Sequence, residues 1–396
     1  MFVELHLLQN FPPSCLNRDD TNAPKDCQFG GHRRARISSQ CLKRSIRSRF
    51  DQAGYLAPEQ LGTRSRILIE QGLVPRLVEQ GWDADRSRKL AEAALTAMGF
   101  GVDEAQSQYL LFLGHDEIDR LAAAIGEHAD ALSQAADAGG KTSDEGKRTK
   151  KQSKAGVPKD VHLALVDVLD GGKAADLALF GRMLADLPDR NIDAACQVAH
   201  GISTNAIEME MDFYTAVDDL QARDEPGAGM MGTIEFNSAC FYRYANISVR
   251  QLLANLGHDT ELTRAAIEAF LRAAITAIPA GKQTTMAAQN PPSLMLAIVR
   301  EHGLWSLANA FAQPIRPDHP GEHNGQSLVQ KSAQRLDDYW GRMTRVYGSD
   351  GIVAHPLCLV EDAELTYLSD EQVQSVDELV QRVMQSVKLS EPLEAV

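Results

Sequence analysis

Residues 207–217 read IEMEMDFYTAV, with Ile207, Met209, Met211 and Phe213 alternating against Glu208, Glu210 and Asp212. A period of two marks a strand, because successive side chains point to opposite faces. A second β-rich stretch, TIEFNSACFYRYANI (233–247), follows after a loop of glycine and acid, DEPGAGMMG (224–232). Together they predict a long β-hairpin arm. The chain upstream differs in character. ILIEQGLVPRLVEQ (67–80), SRKLAEAALTAMG (87–99) and DEIDRLAAAIGEHADALSQAA (116–136) fit a 3.6-residue period, so residues 58–136 read as helical. At the other end FVELHLL (2–8) predicts a strand that FPPS (11–14) should stop. The expected class is therefore α+β: a sheet with strands from both ends of the chain, a helical insertion and a β-arm.

The composition is that of a soluble globular chain, 44% hydrophobic and 24% charged over 396 residues. Its six cysteines form no C-x-x-C pair and suit a reducing compartment better than a disulfide framework. The start, MFVELHLLQNFPPS, lacks a basic head before an apolar run, and no window of about 18 residues is uninterruptedly apolar, so neither a signal peptide nor a membrane span is expected. The expected location is cytoplasmic. With 54 acidic against 40 basic residues, a net charge of −14, the chain does not read as a general polyanion binder. The charge is segregated, however. Residues 1–50 hold nine basic and four acidic side chains, whereas 361–396 hold two and nine. Between Cys27 and Phe50 there are seven arginines and lysines and no carboxylate.

Part of that basic block predicts a short helix over 39–50, with Ser38 or Ser39 as its N-cap. Leu42, Ile46 and Phe50 recur at i, i+4 and i+8, while Gln40, Lys43 and Arg47 recur at i, i+3 and i+7. One face can anchor to a core while its neighbour presents an amide and two cations in a line. Such a row suits the successive phosphates of a single strand.

The blocks SCLNRDD, FGGHRRARISSQCLKRSIR, GRM, FYTAVDDLQ, GTIEFNSACFYRYANI and GKQTTMAAQNP occur in this order. In them the chain resembles the backbone subunit of the type I-E CRISPR Cascade complex, the CasC family of the RAMP superfamily. The resemblance implies an RRM-like (ferredoxin-like) palm from 1–57, 196–206 and 241–360, with an RNA-contacting loop near 279–291. It implies helical fingers over 58–195, a β-hairpin thumb over 207–240 and, after the palm, an acidic helical tail over 361–396. It implies a non-catalytic subunit that polymerises head to tail along CRISPR RNA and presents the guide for pairing with target DNA. The implied partners are further copies of itself, CRISPR RNA, the other Cascade subunits, target DNA and, indirectly, a helicase-nuclease.

Carried over residue by residue, the resemblance gives Arg18, Lys25, Ser38, Gln40, Lys43, Arg47 and Lys282 the guide backbone, with Gly30 and Gly31 allowing close approach of the main chain. Phe213, Tyr214, Val217 and Met231, with Met183 on a facing surface, would displace a base at intervals and fill the gap. Met209 and Met211 are expected in the core. Lys147, Arg148, Lys150 and Lys151, in the basic loop KRTKKQSK (147–154), are candidates for target DNA. No cofactor or metal is expected. GGKT (139–142) and AGKQTT (280–285) lack the glycine or Ser/Thr of a phosphate-binding loop, and the spacing of His319 and His323 falls in a Pro/Gly loop that cannot align them. The rival reading is an endoribonuclease of the same superfamily that processes CRISPR RNA. It needs a positioned general base, and His32 is the only histidine inside the basic block. Separately, Asp19 and Asp20 lie next to the basic track, and relatives in type III effectors cleave target RNA with a loop aspartate. The family that the chain resembles is not one of nucleases, however, and the pair has no metal cluster beside it.

Overall fold

The computed structural model describes residues 1–139, 156–216, 230–316 and 325–389. The chain divides into two compact units. The first comprises 1–55, 196–249 and 267–396, and the second 56–195 with 250–266.

The first unit is built on a mixed sheet of eleven strands. Phe2–Ser14 lies inside it, antiparallel to both Met230–Ser248 and Leu294–Arg300. On one side follow Leu357–Leu359 and then Gln372–Val373, and on the other Gly201–Ser203, His32–Ile37 and Asp26–Phe29. Phe2–Ser14 does not stop at the prolines. It continues through Pro12 and Pro13 with a register shift between Phe11 and Ser14. A proline cannot donate to the ladder but is tolerated where a bulge has already broken it.

Both faces of the sheet are covered. Leu8, Tyr242, Leu296 and Ile298 pack with Val329, Ala333, Leu336 and Trp340 of the Leu328–Tyr347 helix. On the opposite face Phe11, Ile37 and Phe241 pack with Leu42 of the Ser39–Gln52 helix. Burial on both sides places polar residues of Phe2–Ser14 inside the protein, where each needs partners. Glu4 accepts hydrogen bonds from Tyr244 (2.8 Å) and from the Trp305 N–H (2.6 Å), and pairs with Arg300 at 3.5 Å. His6 shares a 2.8 Å hydrogen bond with the Tyr242 hydroxyl.

The alternating segment forms the expected hairpin: Glu210–Ala216 pairs antiparallel with the first part of Met230–Ser248. Met209 packs at the edge of the core. Met211 does not, being 71% exposed. Glu210–Ala216 pairs with no other strand among the described residues. Residues 361–389 are part of the first unit. They contribute a parallel strand on Leu357–Leu359 and the Val376–Ser386 helix, which buries Leu379, Val380 and Val383.

The second unit is largely helical, with a core drawn from Ala84–Ala97, His115–Glu127 and Lys159–Asp167. It also contains strands where the sequence reads as helix. LFLG (111–114) pairs with Gly62–Ser65. All four of its residues are buried, and a short continuous apolar run carries no period to tell strand from helix. A widened π turn over Ile69–Leu73 precedes Val74–Glu79. Pro75 in that helix has no N–H to donate and its ring crowds the preceding turn.

Candidate nucleic-acid interface

The Ser39–Gln52 helix is fixed locally. Ser38 is the N-cap, its hydroxyl accepting the Cys41 N–H at 3.3 Å, and its own N–H donates to Asn17 Oδ1 at 2.8 Å. Leu42, Ile46 and Phe50 are buried, as their spacing requires. Gln40 is exposed, and Lys43 and Arg47 are half-buried on the neighbouring ridge. The first turn holds no acidic residue, so the outward N–H groups and positive end of the helix dipole favour an anion there. Ser38 is only 6% exposed and acts first as a cap.

Two loops join this helix. In the segment before Asp26–Phe29, Arg18 donates to Asn22 Oδ1 at 2.9 Å. Asp19 accepts from the Thr21 hydroxyl, the Thr21 N–H and the Ala23 N–H. These bonds, that from the Thr21 hydroxyl foremost, hold its carboxyl below the usual range. Asp19 therefore staples the loop. Among the described residues no group of His, Cys, Asp and Glu has the arrangement of a metal site. His319 and His323 lie outside those residues.

The second loop carries Lys282, which has a left-handed backbone (φ 52°), as does Ala287 (φ 49°) across the intervening turn. Non-glycine residues rarely adopt this conformation, and it persists only where the surroundings impose it. Burial pushes the Cys15 thiol up, while Arg18 and Lys282 both pull it down. Lys25 acts in the same way on the half-buried Cys41 in the first turn of the helix. The segments that carry these cations meet beside the helix: Asn17 Oδ1 accepts the Ser38 N–H, the Asn17 carbonyl accepts the Lys25 N–H, and Gly281 lies against the Leu16 carbonyl.

The basic block is less uniform than its charge count. Arg34 is buried and donates to the carbonyls of Ser203, Thr204, Phe311 and Ala312. Arg33 is paired with Asp26. Gly30 and Gly31 form the tight turn between the first two short strands, with φ of 61° and 80°. A Cβ on Gly30 would meet the Ala312 carbonyl oxygen at 1.8 Å, so that glycine accommodates the protein's own main chain.

On the hairpin, Met211, Phe213 and Met231 share one face, because Met231 lies opposite Thr215 and side chains two apart on a strand point the same way. They are 71%, 60% and 64% exposed. Tyr214 is on the reverse face, opposite Gly232, where its ring occupies the space a Cβ would fill. The three-membered apolar stripe therefore includes Met211, which the sequence assigned to the core, and leaves out Tyr214. Val217, Lys147, Arg148, Lys150 and Lys151 lie outside the described residues.

Met183 belongs to the second unit and is 81% exposed. Its neighbours hold it there. Arg182 is buried against Glu117, at 2.8 Å to each carboxylate oxygen, and exchanges backbone hydrogen bonds with Ile192. Glu117 in turn accepts the N–H groups of Gly114 and Gly171. A thioether presented to solvent by so fixed a backbone is available for contact with another molecule.

Sequence reasoning missed Arg36 and His200. Their side chains meet at 3.3 Å although 164 positions separate them, and nothing local marks His200.

A family model described as CT1975-like protein matches residues 3–382. Among solved structures, a chain of a CRISPR RNA-guided surveillance complex, pre-nicking, is similar with a TM-score of 0.81 and 32% identity, over 98% of this chain and 100% of that one. A chain of another CRISPR RNA-guided surveillance complex is similar with a TM-score of 0.71 and 27% identity, over the same shares of the two chains. No curated protein matches the chain.

Proposed function

The chain belongs to the CT1975-like protein family, and from that premise we propose that it is a subunit of a Cascade-type CRISPR surveillance complex, the RNA-binding backbone of type I-E. The observation that carries the reading is that the segments bearing Arg18, Lys25 and Lys282 meet at the cap of Ser39–Gln52: Asn17 accepts the Ser38 N–H and, through its carbonyl, the Lys25 N–H, while Gly281 lies against the Leu16 carbonyl. The full-length likeness to chains of RNA-guided surveillance complexes supports it.

In this reading the sheet-bearing unit acts as an RRM-like palm, the helical unit as fingers and the hairpin as a thumb. The cations and amide of the helix ridge take successive phosphates without reading sequence, which is left to base pairing between guide and target DNA. Phe213 and Met231, with Met211, offer an apolar face against an unstacked base. Unstacking costs a few kcal/mol, and contact with a base returns about 1–3 kcal/mol. The protein performs no chemistry itself. It works in the cytoplasm with copies of itself, CRISPR RNA, other Cascade subunits and target DNA, and indirectly with a helicase-nuclease. No helix among the described residues is long and apolar enough to cross a membrane.

Co-expression with a CRISPR array followed by electron microscopy tests the reading. Regular ribonucleoprotein rods are expected, and protein that purifies free of RNA would reject it. Incubation with labelled precursor RNA, with chelator controls, separates the endoribonuclease reading: specific cleavage would favour that alternative.

A further inference from the structure

Met183 projects from a loop that is pinned on both sides of it. The loop, residues 181–192, follows Ala175–Phe180 and leads toward Cys196–Val198. Arg182 and Leu184 are 5% and 1% exposed, against 81% for the methionine between them. Successive side chains of extended backbone point to opposite sides, so burying 182 and 184 turns 183 outward. Directional bonds hold both neighbours. Arg182 exchanges backbone hydrogen bonds with Ile192, and its Nη1 donates to both Glu117 oxygens at 2.8 Å. The Leu184 N–H donates to Asn191 Oδ1 at 2.6 Å. Further along, Asp186 accepts a hydrogen bond from the Tyr109 hydroxyl at 2.6 Å, and Arg190 pairs with Asp167.

Stability alone does not call for this arrangement. An apolar pair of similar volume would serve the fold as well as the buried Glu117–Arg182 pair, or better. What the ion pair adds is direction. The Gly114 and Gly171 N–H groups both donate to Glu117, so its carboxylate is already fixed where Arg182 meets it. The guanidinium in turn fixes the backbone from which Met183 departs.

A fixed backbone is here combined with a side chain that adapts its shape. Such a tip loses little conformational freedom on contact and fits partners of different outline. We propose that Glu117, Arg182 and Asn191 are positioning residues that preset Met183 against an unstacked base of the bound RNA, whichever base it is. The assignment rests on the RNA-binding reading above and adds to it the residues that place this contact.

The test assembles the full chain on a single-stranded RNA and reads nucleotide exposure by chemical probing, with anisotropy for affinity and thermal unfolding for stability. It compares wild type, M183A, M183L, N191A and E117L/R182M. The ratio of exposed to protected reactivity is expected to fall at least about fivefold in M183A and to persist in M183L. N191A and E117L/R182M keep Met183, yet the ratio should fall at least about twofold in each, with RNA affinity within about twofold of wild type. A purely structural role would lower the unfolding temperature and leave the ratio unchanged. A full ratio in either of these variants, or in M183A, overturns the proposal. Should E117L/R182M fail to fold, N191A decides, because it alters only an exposed side chain. Loss of assembly in M183A, with RNA binding by single chains intact, would assign Met183 to a contact between copies and also overturn it. A wild type that binds RNA without periodic exposure rejects base displacement and the positioning role together. One that binds no RNA rejects the function proposed above as well.

Discussion

Gly281 stands so close to Leu16 that a Cβ placed on it would lie 2.2 Å from the Leu16 carbonyl oxygen. The contact seats the loop carrying Lys282 on the segment that leads to Arg18. A methyl group at 281 has backbone, not a flexible side chain, to displace. Gly281→Ala is expected to cost about 1–3 kcal/mol in urea unfolding. Withdrawal of Lys282 should also lower the salt slope of RNA binding by about 0.7. Unchanged stability would show that the two loops are not held together.

The helix ridge makes a separate contribution. Replacing Lys43 and Arg47 together by alanine should lower the log–log salt slope of single-stranded RNA binding by about 1.4, at ~0.7 per phosphate. Salt titrations of wild type and the double variant would measure it. An identical slope removes both residues from the phosphate track.

The hairpin stripe should act on bases and not on affinity. Phe213 and Met231 are exposed, so F213S/M231S should change stability by no more than about 0.5 kcal/mol. Chemical probing of the bound RNA should lose any periodic nucleotide exposure. Survival of a periodic pattern would refute the base-displacing role.

Stability should depend on pH through His6. Burial first, then Arg300, depresses its pKa from the ordinary 6.5 to about 3. The folded chain thus requires the neutral ring: the stabilisation is complete above the unfolded value and is lost as pH falls toward the folded one. Between pH 7 and 5 this loss amounts to about 2 kcal/mol at 1.36 kcal/mol per unit. His6→Gln should flatten that part of the profile in denaturant titrations.

In the helical unit, Glu117 and Arg182 form a fully buried pair. Glu117→Leu leaves a buried guanidinium without its counter-ion and is expected to cost about 3–5 kcal/mol, whereas E117L/R182M should recover most of it. Thermal unfolding of the three proteins decides the matter. A double variant no better than the single one would mean that the Gly114 and Gly171 contacts, not the charge, are what count.

Much of the first unit was legible because its signals are local. The Ser38 cap, the Leu42–Ile46–Phe50 stripe and the alternation after Ile207 each depend on residues within a few positions of one another, so propensity and period state them directly. Legibility failed where neighbours distant in sequence decide the outcome. Pro12 and Pro13 read as a stop, but the long strand opposite accepts a bulge. LFLG reads as part of a helix, but Gly62–Ser65 supplies its ladder. Met211 reads as core, but its face of the hairpin is left exposed among the described residues.

The amino-acid sequence by itself determined the α+β character, the cationic helix ridge and the buried Leu42–Ile46–Phe50 stripe beside it, since charge count and side-chain period are properties of adjacent residues. Which cations share a site was decided only by tertiary structure. Arg34 and Arg36 are two positions apart, yet one is consumed by four backbone carbonyls and the other meets His200. The physical reason is that a buried guanidinium must find acceptors, and those of Arg34 come from segments about 170 and 280 positions away that only the folded chain brings to it.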